Sequence, residues 1–352
     1  MAFDIRPFSP EWLPALREFN GRMQATGMRL PDDPEQQLLP GSEMYLAVEN
    51  CHVRGGYILR PQQFFFHGVP HRAAHYRLPV SEGVINQRYV PVGALLLQSA
   101  LRQEPHLYAL GMGGSANPLP RMLQAAGWSI CPVPFYFRVV HSSGFLRKMQ
   151  AIRHTRWRAA LLDFAGWTGL GSIAIHAWQS AVKKRSSVNL PFSVEDHFGD
   201  WADAIWENSR AAYAMVAARD EPALRALYPS HNKRFLRIRV GQAGWAVLLD
   251  TSMQGDQYFG DLRVGTIVDS MARPEDAGRV IEAARRFLEE RSVDLIISNQ
   301  RHAAWIQALR DAGFLKGPSN FLFAASLSLA AMAGGIAAIH INRGDGDGPV
   351  HL

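Results

Sequence analysis

Cysteine is nearly absent. Cys51 and Cys131 are the only two in a chain of 352 residues, too few for a disulfide framework or a zinc cluster, and this usage fits a reducing compartment. Charge is sparse as well: Asp, Glu, Lys and Arg make up 19% of the chain against 47% hydrophobic residues, the balance of a folded protein rather than a disordered one. The opening Met1-Ala-Phe-Asp-Ile-Arg6 has no apolar signal region, so no secretion signal is expected and the expected localisation is cytoplasmic. A Gly-x-Ser-x-Gly elbow, a Walker loop and a zinc-protease helix are missing too. Gly111-Met-Gly-Gly114 lacks the spacing of a dinucleotide loop, and Asn117-Pro118 breaks the helix that such a loop would open. His67, His71 and His75 recur every four residues, but Gly68 and Pro70 break any helix that would align them. They are expected in a hairpin, and no metal site is expected. Asp345 and Asp347 are spaced like the start of a calcium loop, without the glutamate that would complete it; a tight Gly turn is the expectation there.

The net charge of +6 is unevenly placed. Over 146–187, Arg147, Lys148, Arg153, Arg156, Arg158, Lys183, Lys184 and Arg185 stand against Asp163 alone. The whole positive excess belongs to that stretch and the remainder is close to neutral, so no nucleic-acid partner is expected. Within it, 159–182 approaches the length of a membrane span, about 20 residues. Asp163, His176, Gln179 and the glycines at 166, 169 and 171 argue against one, because a polar or charged group at the centre of a span costs about 2–3 kcal/mol. A helical connector packed between two domains is the expectation. A basic interfacial helix, laying Trp157, Trp167 and Trp178 on a membrane surface, stays open as peripheral membrane contact through 146–187.

What is present is a repeated order of elements, in a chain long enough for two domains. Strand 74–80, loop 81–93, helix 94–101, strand 107–110, helix 119–126 and strand 134–140 come first. Strand 264–269, loop 271–278, helix 280–290, strand 294–299, helix 303–312 and strand 320–329 repeat them. Both second helices end alike, Leu123-Gln-Ala-Ala-Gly127-Trp128 and Leu309-Arg-Asp-Ala-Gly313-Phe314. A glycine after the last helical residue takes the left-handed cap, and the next residue, an aromatic, packs back on the sheet. The same ending after the same order points to an internal repeat. Ahead of the first copy lie a strand, a helix over 12–23 and a hairpin of 44–49 with 55–60. Ahead of the second lie a helix over 201–216 and a pairing of 235–240 with 245–250.

This order resembles the core of the GCN5-related N-acetyltransferase (GNAT) superfamily, and the two copies resemble its tandem members, over about 5–140 and 198–329. The opening Ile5-Arg-Pro-Phe-Ser-Pro-Glu-Trp-Leu-Pro-Ala-Leu16 is similar to the first strand and helix of that fold. The resemblance implies an α/β chain of two tandem GNAT-like domains, each a mixed, strongly twisted sheet flanked by helices. The implied division is a domain over 1–145, a basic and apolar helical connector over 146–190, a domain over 191–330 and a tail over 331–352. It also implies an acyltransferase without a metal, taking acetyl-CoA or another acyl-CoA as donor and a small-molecule amine or hydroxyl as acceptor.

In the family, acyl-CoA lies where two parallel strands splay apart, and the loop before the next helix offers N–H groups and the helix dipole to the pyrophosphate. Its loop pattern falls on Arg88, Pro91 and Gly93 in the first copy and on Arg273, Asp276 and Gly278 in the second. The implied cofactor-binding residues are Arg88, Val92, Gly93, Ala94, Arg273 and Gly278. Pro91 removes one N–H donor, while Glu275 and Asp276 oppose an anion, so the first copy is the expected cofactor site. Glu82, just after the central strand, is the expected general base, with Asp269 its counterpart. The tyrosine that many members use to protonate the leaving thiolate is replaced by Leu123 and Leu309, which leaves Tyr108 as substitute. That departure keeps two other readings open: a non-catalytic tandem GNAT-like binding or scaffold protein, and an acyltransferase with a carrier-protein or aminoacyl-tRNA donor.

Overall fold

The computed structural model describes residues 3–39, 41–150, 173, 177, 179, 191–335 and 338–346. In chain order the strands are β1 (Asp4–Pro7), β2 (Glu43–Glu49), β3 (His52–Phe66), β4 (Val69–Ser81), β5 (Leu107–Gly111), β6 (Ser129–Pro132), β7 (Phe135–Val139), β8 (Ser193–Glu195), β9 (Val216–Ala217), β10 (Leu236–Val240), β11 (Gly244–Ser252), β12 (Arg263–Ala272), β13 (Leu295–Asn299), β14 (Leu315–Gly317) and β15 (Leu322–Ala325). They belong to two units.

The first unit takes Met1–Phe64, Pro70–Cys131 and Leu322–Ile336. Its sheet runs β1-β2-β3-β4-β5-β15-β6. β4 and β5 are parallel, with Ala74 opposite Leu107 and His75 opposite Tyr108. Successive strand residues point to opposite faces, and here each face is buried by a different helix. Ala74 and Tyr76 join Val92, Leu96, Leu97 and Ala100 of helix Val90–Gln103. On the other face, Leu16, Phe19 and Met23 of helix Leu13–Met23 pack with Leu46, Ile58 and Val80. Simple alternation would put Val80 on the face of Tyr76. Leu78 intervenes with a left-handed backbone, φ 42°, and the strand changes face there as a bulge does.

The second unit takes Phe65–Val69, Pro132–Phe321 and Ala337–Leu352. Its sheet runs β8-β10-β11-β12-β13-β7-β14. β12 and β13 are parallel over Val264–Ile267 and Leu295–Ser298, and the remaining neighbours are antiparallel. Helix Ala277–Glu290 lays Ala277, Val280, Ile281, Ala284 and Leu288 on this sheet at helical spacing. β12 carries a bulge of its own. Val247 opposes Asp269 and Leu248 opposes Ile267, so Val268 is the extra residue.

The two strand orders match position by position, with one departure from the division expected on sequence. That division closes the first domain with strand 134–140 and the second with strand 320–329. Instead β15 lies between β5 and β6 of the first sheet, and β7 lies between β13 and β14 of the second. Pattern alone marks a strand without naming its partners. β7 finds them through Phe135–Val139 on β13 and Phe135–Phe137 on β14.

The repeated helix ending is present in both units. Gly127 and Gly313 have φ of 80° and 81°. The Trp128 N–H donates to Leu123 O at 3.0 Å, and the Phe314 N–H donates to Leu309 O at 2.9 Å. Elsewhere the expected helix over 201–216 ends early, as helix Asp200–Ser209, a 3-10 turn Arg210–Ala212 and β9. The expected strand 320–329 is β15 and then helix Leu327–Met332, because the Ser326 hydroxyl caps that helix by accepting from Leu329 N. Of the connector, helix Ser142–Lys148 is described. Trp157, Trp167, Trp178, Lys183, Lys184 and Arg185 lie outside the described residues, as does Asp347. Gln179 is described and buried, and its amide bonds both backbone groups of Val139, at 2.8 and 3.1 Å. Among the described residues no helix is long and apolar enough to cross a membrane.

Candidate active site

In the first unit the parallel register of β4 and β5 covers His75 and Tyr108. Beyond them β4 bends through the bulge at Leu78, while β5 continues against β15. The chain then makes two 3-10 turns, Glu82–Val84 and Gln87–Tyr89, and enters helix Val90–Gln103. No side chain caps that helix start, but the preceding turn takes the Tyr89 N–H on Asn86 O and the Val90 N–H on Gln87 O, and Pro91 has none, so Val92 carries the first-turn N–H that lies outside the helix ladder. Val92, Gly93 and Ala94 lie in this first turn. A methyl group at Gly93 would sit in ordinary contact, 3.6 Å from Met122 Sδ and 3.8 Å from Ser81 Oγ.

Glu82 and Arg88 fall in one charge network. Glu82 is 3% exposed. Its Oε1 accepts from Arg22 Nε, and its Oε2 accepts from Arg54 Nη1 at 2.9 Å. Arg54 also lies 3.5 Å from Glu49, which accepts from Arg88 Nη2 at 3.2 Å. The guanidiniums of Arg54 and Arg88 lie over the Tyr89 ring, at 4.6 and 5.5 Å. The expectation of a cleft-mouth base is corrected here: both Glu82 oxygens are engaged by arginine, and burial separates them from solvent.

Tyr108 is fully buried. Its oxygen lies 2.8 Å from the Gln62 amide. Turned so that its oxygen accepts from Arg60 Nε at 2.6 Å, that amide donates from its nitrogen to Tyr108. The Tyr108 ring stacks on His75, centroids 4.7 Å apart and 6° from parallel. Burial, then the charges of Arg60 and Arg77, holds the imidazole of His75 well below its ordinary pKa, so it is neutral. Its Nδ1 meets no hydrogen-bond partner among the described residues. Sequence reasoning treats His75 only as one of three evenly spaced histidines. The signal that separates it is strand alternation, which sets it on the face opposite Ala74 and Tyr76. Arg22, Glu49 and Arg54 carry no such signal, because their partners are distant in sequence.

The second unit has the same parallel pair, but its splay is filled. Past Ile267 and Ser298 the gap is spanned by Ile339–Asp345. Gln300 pairs with Asn342 in an antiparallel bridge. Arg301 N donates to Ile341 O at 3.0 Å, and Asn342 Nδ2 donates to Asp269 Oδ1 at 2.8 Å. Asp269 is fully buried. Arg219 Nε and the Tyr228 hydroxyl, each at 2.7 Å, and its neighbour Ser270 N at 2.8 Å complete its donors. Arg219 Nη2 continues to Asp345 Oδ1 at 2.6 Å. Burial pushes the Asp345 carboxyl up, against the pull of Arg219. Burial and the Asp269 charge push the Tyr228 phenol up. Every Asp269 oxygen accepts a hydrogen bond and the residue is fully buried, so it does not stand open to an acceptor as the expected base would. Arg273 and Gly278 flank the helix start, but Arg273 pairs with Glu275, and Asp276 pairs with Arg279 at 3.1 Å. Leu123 and Leu309, at the positions of the missing tyrosine, are both fully buried.

No protein-family model matches the chain, and no curated protein matches it. Solved structures do. A probable N-acyltransferase of unknown function from Enterococcus faecalis is 12% identical, with a TM-score of 0.54 over 94% of this chain and 74% of that one. A GCN5-related N-acetyltransferase from Kribbella flavida is 13% identical, with a TM-score of 0.53 over 96% and 74%. N-myristoyltransferase from Saccharomyces cerevisiae, solved with myristoyl-CoA, is 10% identical, with a TM-score of 0.51 over 93% and 79%. At such identity the likeness is one of fold: two mixed sheets flanked by helices, each with one splayed parallel pair, give this chain a GNAT-like fold.

Proposed function

We propose that the chain is an acyl-CoA-dependent acyltransferase, with acetyl-CoA or another acyl-CoA as donor and an amine or hydroxyl of a small molecule as acceptor. The donor binds in the first unit. One observation carries this choice: the second splay is occupied by the chain's own Ile339–Asp345; the helix starts of the two units are alike in carrying no side-chain cap. The Val92 N–H and the helix dipole serve the pyrophosphate there, with Gly93 and Ala94 beside them, and Arg88, paired with Glu49, adds a cation at the rim. Acceptor attack on the thioester carbonyl expels the CoA thiolate and releases one proton from the acceptor. Tyr108, at the edge of the splay, is the candidate hydroxyl for the thiolate, fully buried and bonded to the Gln62 amide in this structure.

A second reading has its own observation. Buried leucines replace the usual acid and Glu82 is clamped by arginines, as in a unit that binds acyl-CoA without turning it over. Calorimetry with acetyl-CoA and longer acyl-CoAs tests the common part. Gly93→Glu places a carboxylate where the pyrophosphate binds, so affinity falls at least a hundredfold, about 2.8 kcal/mol, while Gly278→Glu leaves it unchanged. The opposite pattern would move the donor to the second unit. Turnover by the wild type separates enzyme from binding protein.

A further inference from the structure

Arg343, in the second unit, is a half-buried cation without a counter-charge. Three other arginines held inside that unit are compensated. Arg219 has the carboxylates of Asp269 and Asp345, and Arg285 has those of Glu282 and Glu289. Arg237 donates to the Phe235, Tyr228 and Pro229 carbonyls, at 2.9, 2.8 and 3.0 Å. Arg343 has far less. Its Nη1 reaches Asn299 Oδ1 at 3.5 Å, the outer limit of a hydrogen bond. Its Nε is buried and meets no partner among the described residues. The ring of Phe321, 5.8 Å from the guanidinium carbon, covers one side without supplying an acceptor. Asp345, the nearest carboxylate in sequence, is turned away: one oxygen accepts from Arg219 and the other from Asn342 N. Burial brings the Arg343 guanidinium down to about 10, so it keeps its charge at neutral pH.

The backbone that presents this cation is fixed. Asn342 and Asp345 form a reciprocal cap around the 3-10 turn Arg343–Asp345, and Asn342 is tied to Asp269 below. Asn299, the last residue of β13, is 3% exposed, yet its amide also makes only a long bond, from Nδ2 to Val133 O at 3.5 Å. A guanidinium withdrawn from water without an anion is costly to fold, and the cost is offset when a ligand brings the missing charge. The planar fork of a guanidinium matches the paired oxygens of carboxylate and phosphate. We propose that Arg343, with the Asn299 amide beside it, binds one oxyanion, the carboxylate or phosphate group of a small molecule, at the carboxyl end of β13. The site belongs to the second unit and does not rest on the acyltransferase reading.

Thermal melting of the full chain tests it, in sodium phosphate, sodium acetate or sodium chloride at one ionic strength. The wild type is expected to melt higher in phosphate or in acetate than in chloride, and the anion that acts identifies the group bound. Arg343→Met should raise the half-saturating concentration of that anion about tenfold or more. In chloride the same variant should melt at or above the wild type, because it removes an uncompensated charge and one long contact. Gly93→Glu should respond to the anion as the wild type does. The proposal is overturned if neither anion raises the wild-type melting temperature. An equal response in Arg343→Met would also overturn it and would mean an adventitious ion only. So would an Arg343→Met protein that melts well below the wild type in chloride, since Arg343 would then be a structural strut. Loss of the response in Gly93→Glu would move the anion to the pyrophosphate position of the first unit and reject the site at Arg343.

Discussion

Glu82 shows how burial changes the meaning of a residue. On sequence it is a loop carboxylate beside a cleft, poised to take a proton. In the fold it is 3% exposed and joins Arg22 of the first helix and Arg54 of β3 to the turn before helix Val90–Gln103. Removing one member of a buried ion pair leaves the others uncompensated, at about 3–5 kcal/mol; Arg22 and Arg54 are partly exposed, so the lower end applies. Glu82→Gln is therefore expected to lower the denaturation midpoint markedly, and to lower acyl-CoA affinity only as far as the turn loosens. Equilibrium unfolding read beside steady-state kinetics decides the matter. A midpoint equal to wild type with a kcat lowered about a hundredfold would restore Glu82 as a base.

At the scale of elements, legibility in the sequence depends on the distance between partners. The helix endings at Gly127 and Gly313 are readable because cap, carbonyl and aromatic lie within six residues, and the structure repeats the same bond in both units. Periodicity reads the helix over 94–101, within Val90–Gln103, and the strands as strands; that two of them in each sheet run parallel comes only with the family resemblance. The closing strands are readable as strands but not as exchanged strands, since alternation carries no partner. The segment after Ile339 is least legible. A Gly-rich run reads as a turn, yet Asn342, Gly344 and Asp345 are buried against Asp269, which is remote in sequence. Gly344 makes this contact testable. A methyl group there would fall 2.5 Å from Asp269 Oδ2 and closer still to the Tyr228 hydroxyl, an overlap that neither buried group can relieve cheaply. Gly344→Ala is expected to destabilise the protein by about 1–3 kcal/mol, the usual cost of overpacking. Chemical denaturation monitored by tryptophan fluorescence would register it, and wild-type stability would mean that the segment is not seated in the splay.

For the whole molecule, the exchange of β7 and β15 makes the chain harder to divide than its repeat suggests. A fragment of residues 1–145 contains β7 but neither β13 nor β14, the strands that pair with it. It also lacks β15, so β5 and β6 lose the strand between them. Open edges of this kind leave rows of unpaired N–H and C=O groups and template aggregation, and Phe135, Tyr136 and Phe137 of the orphaned strand add apolar surface. The fragment is expected to be aggregated or largely unfolded by gel filtration and circular dichroism, although its length is ample for a domain. A fragment of residues 1–131 should fare no better, because it still lacks β15. Co-expression of 1–145 with 191–352 supplies each sheet with its missing strand and should yield a soluble complex. A monomeric fragment 1–145 with a cooperative melt would show instead that the first sheet closes without β15, and that the repeat seen in the sequence is also the unit of folding.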